Sequence, residues 1–420
     1  MLGIDMVEIA RMARALEDPS FLPRFFTTKE VEYITSRKRP EEAAAGFFAA
    51  KEALSKALGT GVRGFGLKDI SVTHTPLGKP TIRTTFPLPG EAEVSITHDG
   101  GMAIAAVIIT IPAQKKAFDQ AILPSIGQAE EVISPSLAAS LIPKRKKEFH
   151  KGDCGKVYAV AGSAGLTGAG ILAARAALAC GSGLITVGCS QSLNPIFEVA
   201  LTEVMTHPLA DMEGTLDTAC IPALLEKAHT ADAVLFGGGL SRADSIPVIL
   251  DRVLKEVSAP LVLDADGINA LGTHIDKLQG RTTVLTPHVA EFCRMTGETT
   301  AQVLANPCQC AQNLAAQSGA VVVLKSHRTV IAAPDGRVMK NVLGNPGMAT
   351  GGSGDVLAGV ILSLLGQGCT PFDAAVLGVY LHSLAGDMAA LDKGEYGLTP
   401  TDLVGQLPYA MHYLNQYTIR

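Results

Sequence analysis

Two patterns of apolar and polar positions divide the chain. Up to about residue 110, short apolar segments (LGIDMVEI, ISVTH, EVSITH and MAIAAVIIT) accompany one strong helical segment, EEAAAGFFAAKEALSKALG, which predicts an α+β unit. From Lys156 onward the apolar segments become continuous: VYAVAG, LITVGC, AVLFGG, PLVLDAD, TVLTPH and AVVVLK. Strands buried on both faces read this way. Helical stretches such as AGILAARAALACG and AAVLGVYLHSLAGDMAA lie between them. The second pattern therefore predicts an α/β unit, a mainly parallel sheet covered by helices on both faces, with ligands at the carboxyl ends of its strands. Between the two, the stretch after Pro112 is polar and weakly periodic. The expected organisation is a first domain over residues 1–112, a linker over 113–130 and a second domain over 131–420.

In the second domain, NPGMATGGSGDVLAG (345–359) sets five glycines around one acid, Asp355, just before an apolar helical run. A glycine-rich turn feeding a helix N-terminus aims several N–H groups and the positive end of the helix dipole at one point, which binds anions. Gly351, Gly352 and Gly354 are expected to adopt dihedrals closed to other residues. Two readings of Asp355 stand: a cap for the following helix, or a base that accepts a substrate hydroxyl proton while the amides stabilise a transferring phosphoryl group. Asp264 and Asp266 likewise read either as metal or ribose contacts or as loop caps.

In the first domain, a 100° step along AAKEALSK puts Phe47, Leu54 and Leu58 on one helix face and Glu52 with Lys56 on the other. Glu52 and Lys56 alone make no more than an exposed i,i+4 pair. Asp5, however, interrupts the apolar strand GIDMV, where an acid is costly unless solvated, paired or on a metal. Two carboxylates, joined by phosphate oxygens and waters, suit Mg2+.

Composition narrows the classes. Hydrophobic residues make up 47% of the 420 and charged residues 18%, with mean hydropathy +0.26, yet no apolar run reads as the roughly 20 residues of a membrane span. The N-terminal MLGIDMVEIARM carries acids where a signal peptide is basic and then apolar, so a cytoplasmic protein is expected. All eight cysteines lie at or beyond Cys154 without a CxxC pair, which predicts buried free thiols. Net charge is −5; residues 1–112 carry 13 basic and 13 acidic residues, and the remainder 22 and 27. Nothing global points to nucleic acid, so any basic docking surface is local.

The glycine stretch resembles the signature of the NAD(P)H-hydrate dehydratase family. Supporting stretches follow in that family's order: HKGDCGKVYAVAGSAGLTGAG (150–170), ALACGSGLITV (177–187), LFGGGLS (235–241), LVLDADGINAL (261–271), LTPHVAEF (285–292) and VLKSHRTVIA (323–332). The resemblance covers roughly 131–420. It implies a ribokinase-like fold and repair of hydrated NADH or NADPH, with ADP or ATP phosphorylating the ring hydroxyl before phosphate leaves. By the same resemblance Asp355 is the base on the hydrate, and Ala169, Gly239 and His288 hold the hydrated dinucleotide. Lys325, Ser326, His327, Arg328 and Thr329 form the nucleotide-phosphate loop, and Gly354 lies on the nucleotide. Read alone, Lys325 is equally a solvated lysine at a strand end and His288 a structural residue. Leu166 to Gly170 and Gly237-Gly238-Gly239 depart from the family's usual Tyr-Thr-Gly-Ala-Pro and Gly-Pro-Gly.

The first domain resembles the holo-acyl-carrier-protein synthase family, through GIDMVEIARM (3–12), GFFAAKEALSKALGTG (46–61), the turn Gly78-Lys79-Pro80 and VSITHDGGMAIA (94–105). This implies transfer of 4'-phosphopantetheine from coenzyme A to a serine of apo acyl carrier protein. Asp5 and Glu52 would hold Mg2+ on the pyrophosphate, with Glu52 and His98 in the catalytic set. Lys56, Gly78, Lys79, Pro80 and His98 would contact coenzyme A. Arg11, Arg14 and Arg24, with Lys29, would form a basic surface for the acidic carrier, or else an ordinary solvated face. The family's trimers imply a homo-oligomer through this domain. Phe47 stands where that family commonly has arginine. The expectation is a bifunctional enzyme, without a nucleic-acid or membrane partner. Two alternatives are a second domain acting as a small-molecule kinase, and a first domain that only docks a carrier or oligomerises.

Overall fold

The computed structural model describes residues 2–58, 65–75, 78–86, 88, 91–110 and 132–416. The chain forms two compact units, Met1–Ala121 and Ile122–Arg420. The linker expected at 113–130 and the end of the GFFAAKEALSKALGTG stretch lie outside the described residues.

In the first unit, β1 (Leu2–Glu8), β5 (Met102–Thr110) and β4 (Glu91–Asp99) form an antiparallel sheet in that order, and β2 (Ile70–His74) pairs with β3 (Pro80–Thr84). The alanine-rich helix Pro40–Ala57 packs on β1 and β5. Its small residues permit unusually close approach: a Cβ on Gly3 would run into the Ala53 carbonyl. That contact fixes which face of β1 meets the helix. Leu2, Ile4 and Met6 consequently point outward, while Asp5 faces the helix beside Glu52 and Lys56. Phe47 and Leu54 are buried, as the helical periodicity predicts.

The same helix carries a residue that the wheel left unassigned. Lys51 is wholly buried, and its ammonium donates to Glu30 Oε2 at 2.8 Å and to the Phe25 and Leu67 carbonyls at 3.0 and 2.9 Å. Glu30 in turn accepts from the Thr27 and Val72 amides. One ion pair thus ties together the 21–35 helices, the main helix and β2. Burial pulls the Lys51 pKa down, against the pull of Glu30.

The second unit holds β6 (Lys156–Val160), β7 (Leu184–Ser190), β8 (Met205–Leu209), the short pair β9 (Asp211–Met212) and β10 (Thr215–Leu216), β11 (Ala233–Phe236), β12 (Leu261–Leu263), β13 (Thr283–Leu285), β14 (Val321–Leu324), β15 (Val330–Ala332) and β16 (Val338–Lys340). Its nine-stranded sheet has the order β16-β15-β14-β13-β12-β11-β6-β7-β8, parallel from β8 to β14 and antiparallel at β15 and β16. Both faces are buried. Val160, Phe236, Leu263 and Leu324 pack against the helices Ile221–Ala228, Ser245–Glu256 and Pro307–Ser318. The opposite face carries Thr167–Ala179, Ser353–Gly366 and Pro371–Lys393.

One expectation needs correction. The helix Pro371–Lys393 is long and apolar enough to cross a membrane, although no such run was expected; its most apolar stretch is 83% buried inside the unit, which makes it a core helix.

Lys51→Met leaves the Glu30 carboxylate buried without its cation. It is expected to destabilise the first unit by about 3–5 kcal/mol, read as a calorimetric transition that moves while the second unit's does not. Adding Glu30→Gln is expected to recover part of the loss.

Candidate functional site

In the second unit, five loops meet where the parallel strands end. After β11 the chain turns through Gly237, Gly238 and Gly239 (φ 150°, 62° and 69°). A Cβ on Gly238 would lie 2.7 Å from Asp355 Oδ1, and one on Gly239 would meet Leu166 and Ala169. This turn therefore touches both the loop after β6 and the glycine stretch. The positive φ of Gly238 is closed to proline, whose ring fixes φ near −65°, so the departure from Gly-Pro-Gly gives this turn its own backbone path. Ala169, Gly239 and Asp355 are thus brought together.

Of the three glycines expected to take unusual dihedrals, only Gly352 does (φ 99°), at the N-cap of Ser353–Gly366. Gly354 already lies in the helix; there its missing side chain leaves room for Lys325 Nζ, 3.3 Å from where a Cβ would stand. Asp355 sits in the first helical turn, and Gly352 rather than Asp355 takes the capping position.

Lys325, at the end of β14, donates to Asp264 Oδ1 at 2.8 Å, and the Thr286 hydroxyl donates to the same oxygen at 2.7 Å. Asp264 is 2% exposed. Burial works against the Lys325 charge, but Asp264, Glu291 and Asp355 outweigh it and raise the ammonium's pKa. Asp355 is pushed up to about 7, first by burial and then by the Asp264 charge, against the pull of Lys325 and with a further push from Asp266. One ammonium cannot neutralise all these acids, and Asp355 keeps its proton up to near neutrality. Asp266 accepts from the Ser241 amide at 3.0 Å and from Asn269. Ala265, between the two acids, has φ 44°, a strained conformation for a residue with a Cβ.

His288 caps the helix Val289–Thr296. Its Nδ1 accepts from the Ala290 and Glu291 amides, and the Glu291 carboxylate accepts from the His288 amide. The ring remains half exposed beside the strand end. In the KSHRT loop, Ser326 Oγ donates to the Arg328 carbonyl and the Thr329 hydroxyl donates to the Ser326 carbonyl, while His327 and Arg328 face solvent. Sequence reading missed the centrality of Asp264, which became visible only when a lysine 61 residues away arrived beside it. Its signal was an acid closing an apolar strand.

In the first unit Lys56 Nζ lies 2.7 Å from Asp5 Oδ1. Burial, then the Asp5 charge, raises the Glu52 pKa against the pull of Lys56, so two adjacent carboxylates share one ammonium. Such a pair fits a hard cation. Among the described residues no group of three or more His, Cys, Asp or Glu converges on one point, so the remaining oxygens would come from phosphates and water. His98 Nε2 lies 3.0 Å from the Glu42 carbonyl, which can only accept. Nε2 therefore carries a proton and donates to that carbonyl.

His98, Gly78 and Pro80 line a pocket of about 690 Å³. Arg37, Lys38 and Arg39, which sequence reading did not single out, supply its positive rim. Phe47 stacks on Tyr33 and His74 at 5.2 and 5.6 Å, so an aromatic wall stands where arginine was expected. Lys79 is paired with Glu93, outside that wall. Arg11, Arg14 and Arg24 are exposed, Arg24 over the Phe25 ring.

Comparison with known proteins identifies the relatives of both units. Residues 1–108 match the model of the 4'-phosphopantetheinyl transferase superfamily, and residues 157–409 that of NAD(P)H-hydrate dehydratase. A bifunctional NAD(P)H-hydrate repair enzyme of Moorella thermoacetica is 42% identical over 68% of this chain and 54% of its own. The chain spans about half the length of such bifunctional relatives. An ADP-dependent (S)-NAD(P)H-hydrate dehydratase of Neisseria meningitidis is 38% identical over 64% of this chain and 88% of its own. The crystal structure of an ADP/ATP-dependent NAD(P)H-hydrate dehydratase from Bacillus subtilis, co-crystallised with ATP/Mg2+, superposes with TM-score 0.59 and 31% identity, covering 68% of this chain and 98% of that one. The second unit has the fold of these enzymes, and the chain belongs to the NAD(P)H-hydrate dehydratase family.

Proposed function

We propose that the second unit dehydrates hydrated NADH or NADPH at the expense of ADP or ATP, and that the first transfers 4'-phosphopantetheine from coenzyme A to apo acyl carrier protein. The observation that carries the first assignment is Asp355: a carboxyl with pKa about 7, between Asp264 and Lys325, in the first turn of a glycine-fed helix. A base near neutrality accepts the ring hydroxyl proton as the oxygen takes the phosphoryl group. The first-turn amides and Lys325 face the charge that develops on phosphate. Ala169, Gly239 and His288 border the space for the dinucleotide, and the 325–329 loop with Gly354 borders the nucleotide. Phosphorylation makes the hydroxyl a leaving group; loss of phosphate and of a proton from the adjacent ring carbon restores the double bond. Mg2+ bound with the nucleotide would offset phosphate charge.

In the first unit Asp5 and Glu52 would hold Mg2+, which polarises the coenzyme pyrophosphate when bound. Release of Asp5 frees Lys56 for phosphate, and Gly78, Lys79, Pro80 and His98 border the coenzyme. Phosphate binding at the 690 Å³ pocket draws on Arg37, Lys38 and Arg39 in place of the missing arginine at Phe47. His98 would assist deprotonation of the acceptor serine. Arg11, Arg14 and Arg24 form the carrier-docking face. The apolar outer face of β1 and β5, with Leu2, Ile4, Met6 and Ile108 all more than half exposed, supports self-association through this unit; the trimer is carried over from the resemblance. Coenzyme A, carrier protein and nucleotides meet in the cytoplasm, where this reading places the protein.

Recovery of NADH absorbance from its hydrate with ADP or ATP is expected for the intact protein and abolished in Asp355→Asn. Its rate is expected to rise with pH through about 7 as Asp355 ionises. A phosphorylated product without reduced dinucleotide would instead indicate a small-molecule kinase.

The same substitution is expected to stabilise. A raised acid pKa favours the protonated fold, so stability falls as pH rises from 3.8 to about 7 and stays low above it. Asp355→Asn removes that penalty, worth up to about 4 kcal/mol, and is expected to melt higher than the parent protein at pH 8. Label transfer from coenzyme A to apo acyl carrier protein is expected from the intact protein and lost in Asp5→Ala and Glu52→Ala. Transfer that persists in both variants would overturn the assignment of those carboxylates.

A further inference from the structure

The core helix Pro371–Lys393 carries a histidine and an aspartate among apolar residues, His382 at 8% exposure and Asp387 largely enclosed. Polar groups in such a place are costly unless bonded, and theirs are bonded to one segment. Asp387 Oδ2 accepts from the Gly344 amide at 2.9 Å, and Oδ1 accepts from Asn345 Nδ2 at 2.9 Å. Asn345 Oδ1 then accepts from the Gly347 amide at 3.1 Å, which folds the first turn of the glycine stretch. His382 Nε2 stands 2.9 Å from the Ser353 carbonyl and 3.2 Å from its hydroxyl. A carbonyl only accepts, so Nε2 carries the proton. Next to Asp387, a Cβ on Gly386 would fall on the Met348 sulfur, so the helix is hollowed where the middle of the stretch packs. Ser383 adds a fourth tie, accepting from Asn341 Nδ2 at 2.9 Å.

One and a half turns of this helix therefore touch the segment at its beginning, middle and end. Ser353, where the last contact falls, opens the helix whose first turn bears Asp355. We propose that His382, Gly386 and Asp387 are positioning residues that hold residues 344–355 in their phosphate-receiving shape and so set Asp355 against the substrate hydroxyl. The second half of this inference rests on the reading of Asp355 as the base; the first half concerns the segment's shape alone. The three act through backbone they hold, where a misplacement of about 1 Å costs on the order of 10²-fold in rate.

The test uses the full-length protein and two readouts, amide hydrogen exchange of residues 344–356 and the kinetics of NADH recovery. His382→Leu and Asp387→Ala are expected to speed exchange in that segment while leaving β6, β11 and β12 protected. They are also expected to lower kcat by about 10²-fold with little change in KM for the hydrate. His382→Gln keeps a donor toward Ser353 and is expected to retain most of both properties. Gly386→Ala is expected to behave like Asp387→Ala, and adding Met348→Ala, which removes the colliding sulfur, to restore it in part. Unchanged exchange at 344–356, or exchange raised equally across the whole unit, overturns the proposal, as does a glutamine at 382 that is as damaging as leucine. If the parent protein recovers no NADH, the dehydratase reading fails by itself, and exchange at 344–356 still decides whether these residues hold the segment.

Discussion

A single ammonium placed among several carboxylates governs the second unit. Lys325 bonds to Asp264 and feels Glu291 and Asp355, while Asp355 feels both Asp264 and Asp266. Each of these groups sits at the end of a different strand or at the start of a helix, so the cluster exists only because β11 to β14 run parallel in register and finish together. The acids differ in their hydrogen-bond partners. Asp264 has both a lysine and a threonine hydroxyl; Asp266 has an amide and an asparagine; Asp355 has neither ammonium nor hydroxyl of its own. Asp355, pushed up to about 7, ionises near neutrality, as the proposed proton transfer requires.

The first unit uses the same ingredients at a wetter surface. Asp5 and Glu52 share Lys56 as Asp264 and Asp355 share Lys325, but Lys56 is 55% exposed, so solvent screens the interaction. Burial separates the two clusters: the enclosed one raises the pKa of a carboxyl to near neutrality, as the proposed base requires, and the exposed one leaves its ions largely to solvent.

How far the sequence reveals these sites depends on whether the partners are local. Gly-rich turn, acid and helix are contiguous in NPGMATGGSGDVLAG, and Asp5 betrays itself by interrupting an apolar strand, so both could be singled out from residues alone. The Lys325–Asp264 and Lys51–Glu30 pairs join residues 61 and 21 positions apart, and no local pattern shows that a lysine will be neutralised in the interior rather than solvated. The six central strands were legible because burial on both faces makes them continuously apolar. The margins were not: β8 carries Thr206, His207 and Pro208, β16 ends in Lys340, and β3 begins with Pro80, since edge strands keep one side in water and lose the hydrophobic signal.

The helix Pro371–Lys393 shows why composition alone misleads. Its hydropathy matches that of a membrane span because it is surrounded on nearly every side, by β13, β14 and β15 and by the helices Ser353–Gly366 and Pro400–Asn415. In lipid, His382 and Asp387 would have no such partners and would carry the full cost of desolvation. Within this unit their hydrogen bonds go to Gly344, Asn345 and Ser353, backbone and side chains of a segment that, being glycine-rich, has little packing of its own to fix its shape. Burial pushes the His382 pKa down to about 4, so the imidazole stays neutral and adds no charge beside Lys325. The cost of burying these polar groups is offset by their bonds to the glycine stretch, and the two anomalies, a glycine-rich loop and an over-polar core helix, account for each other.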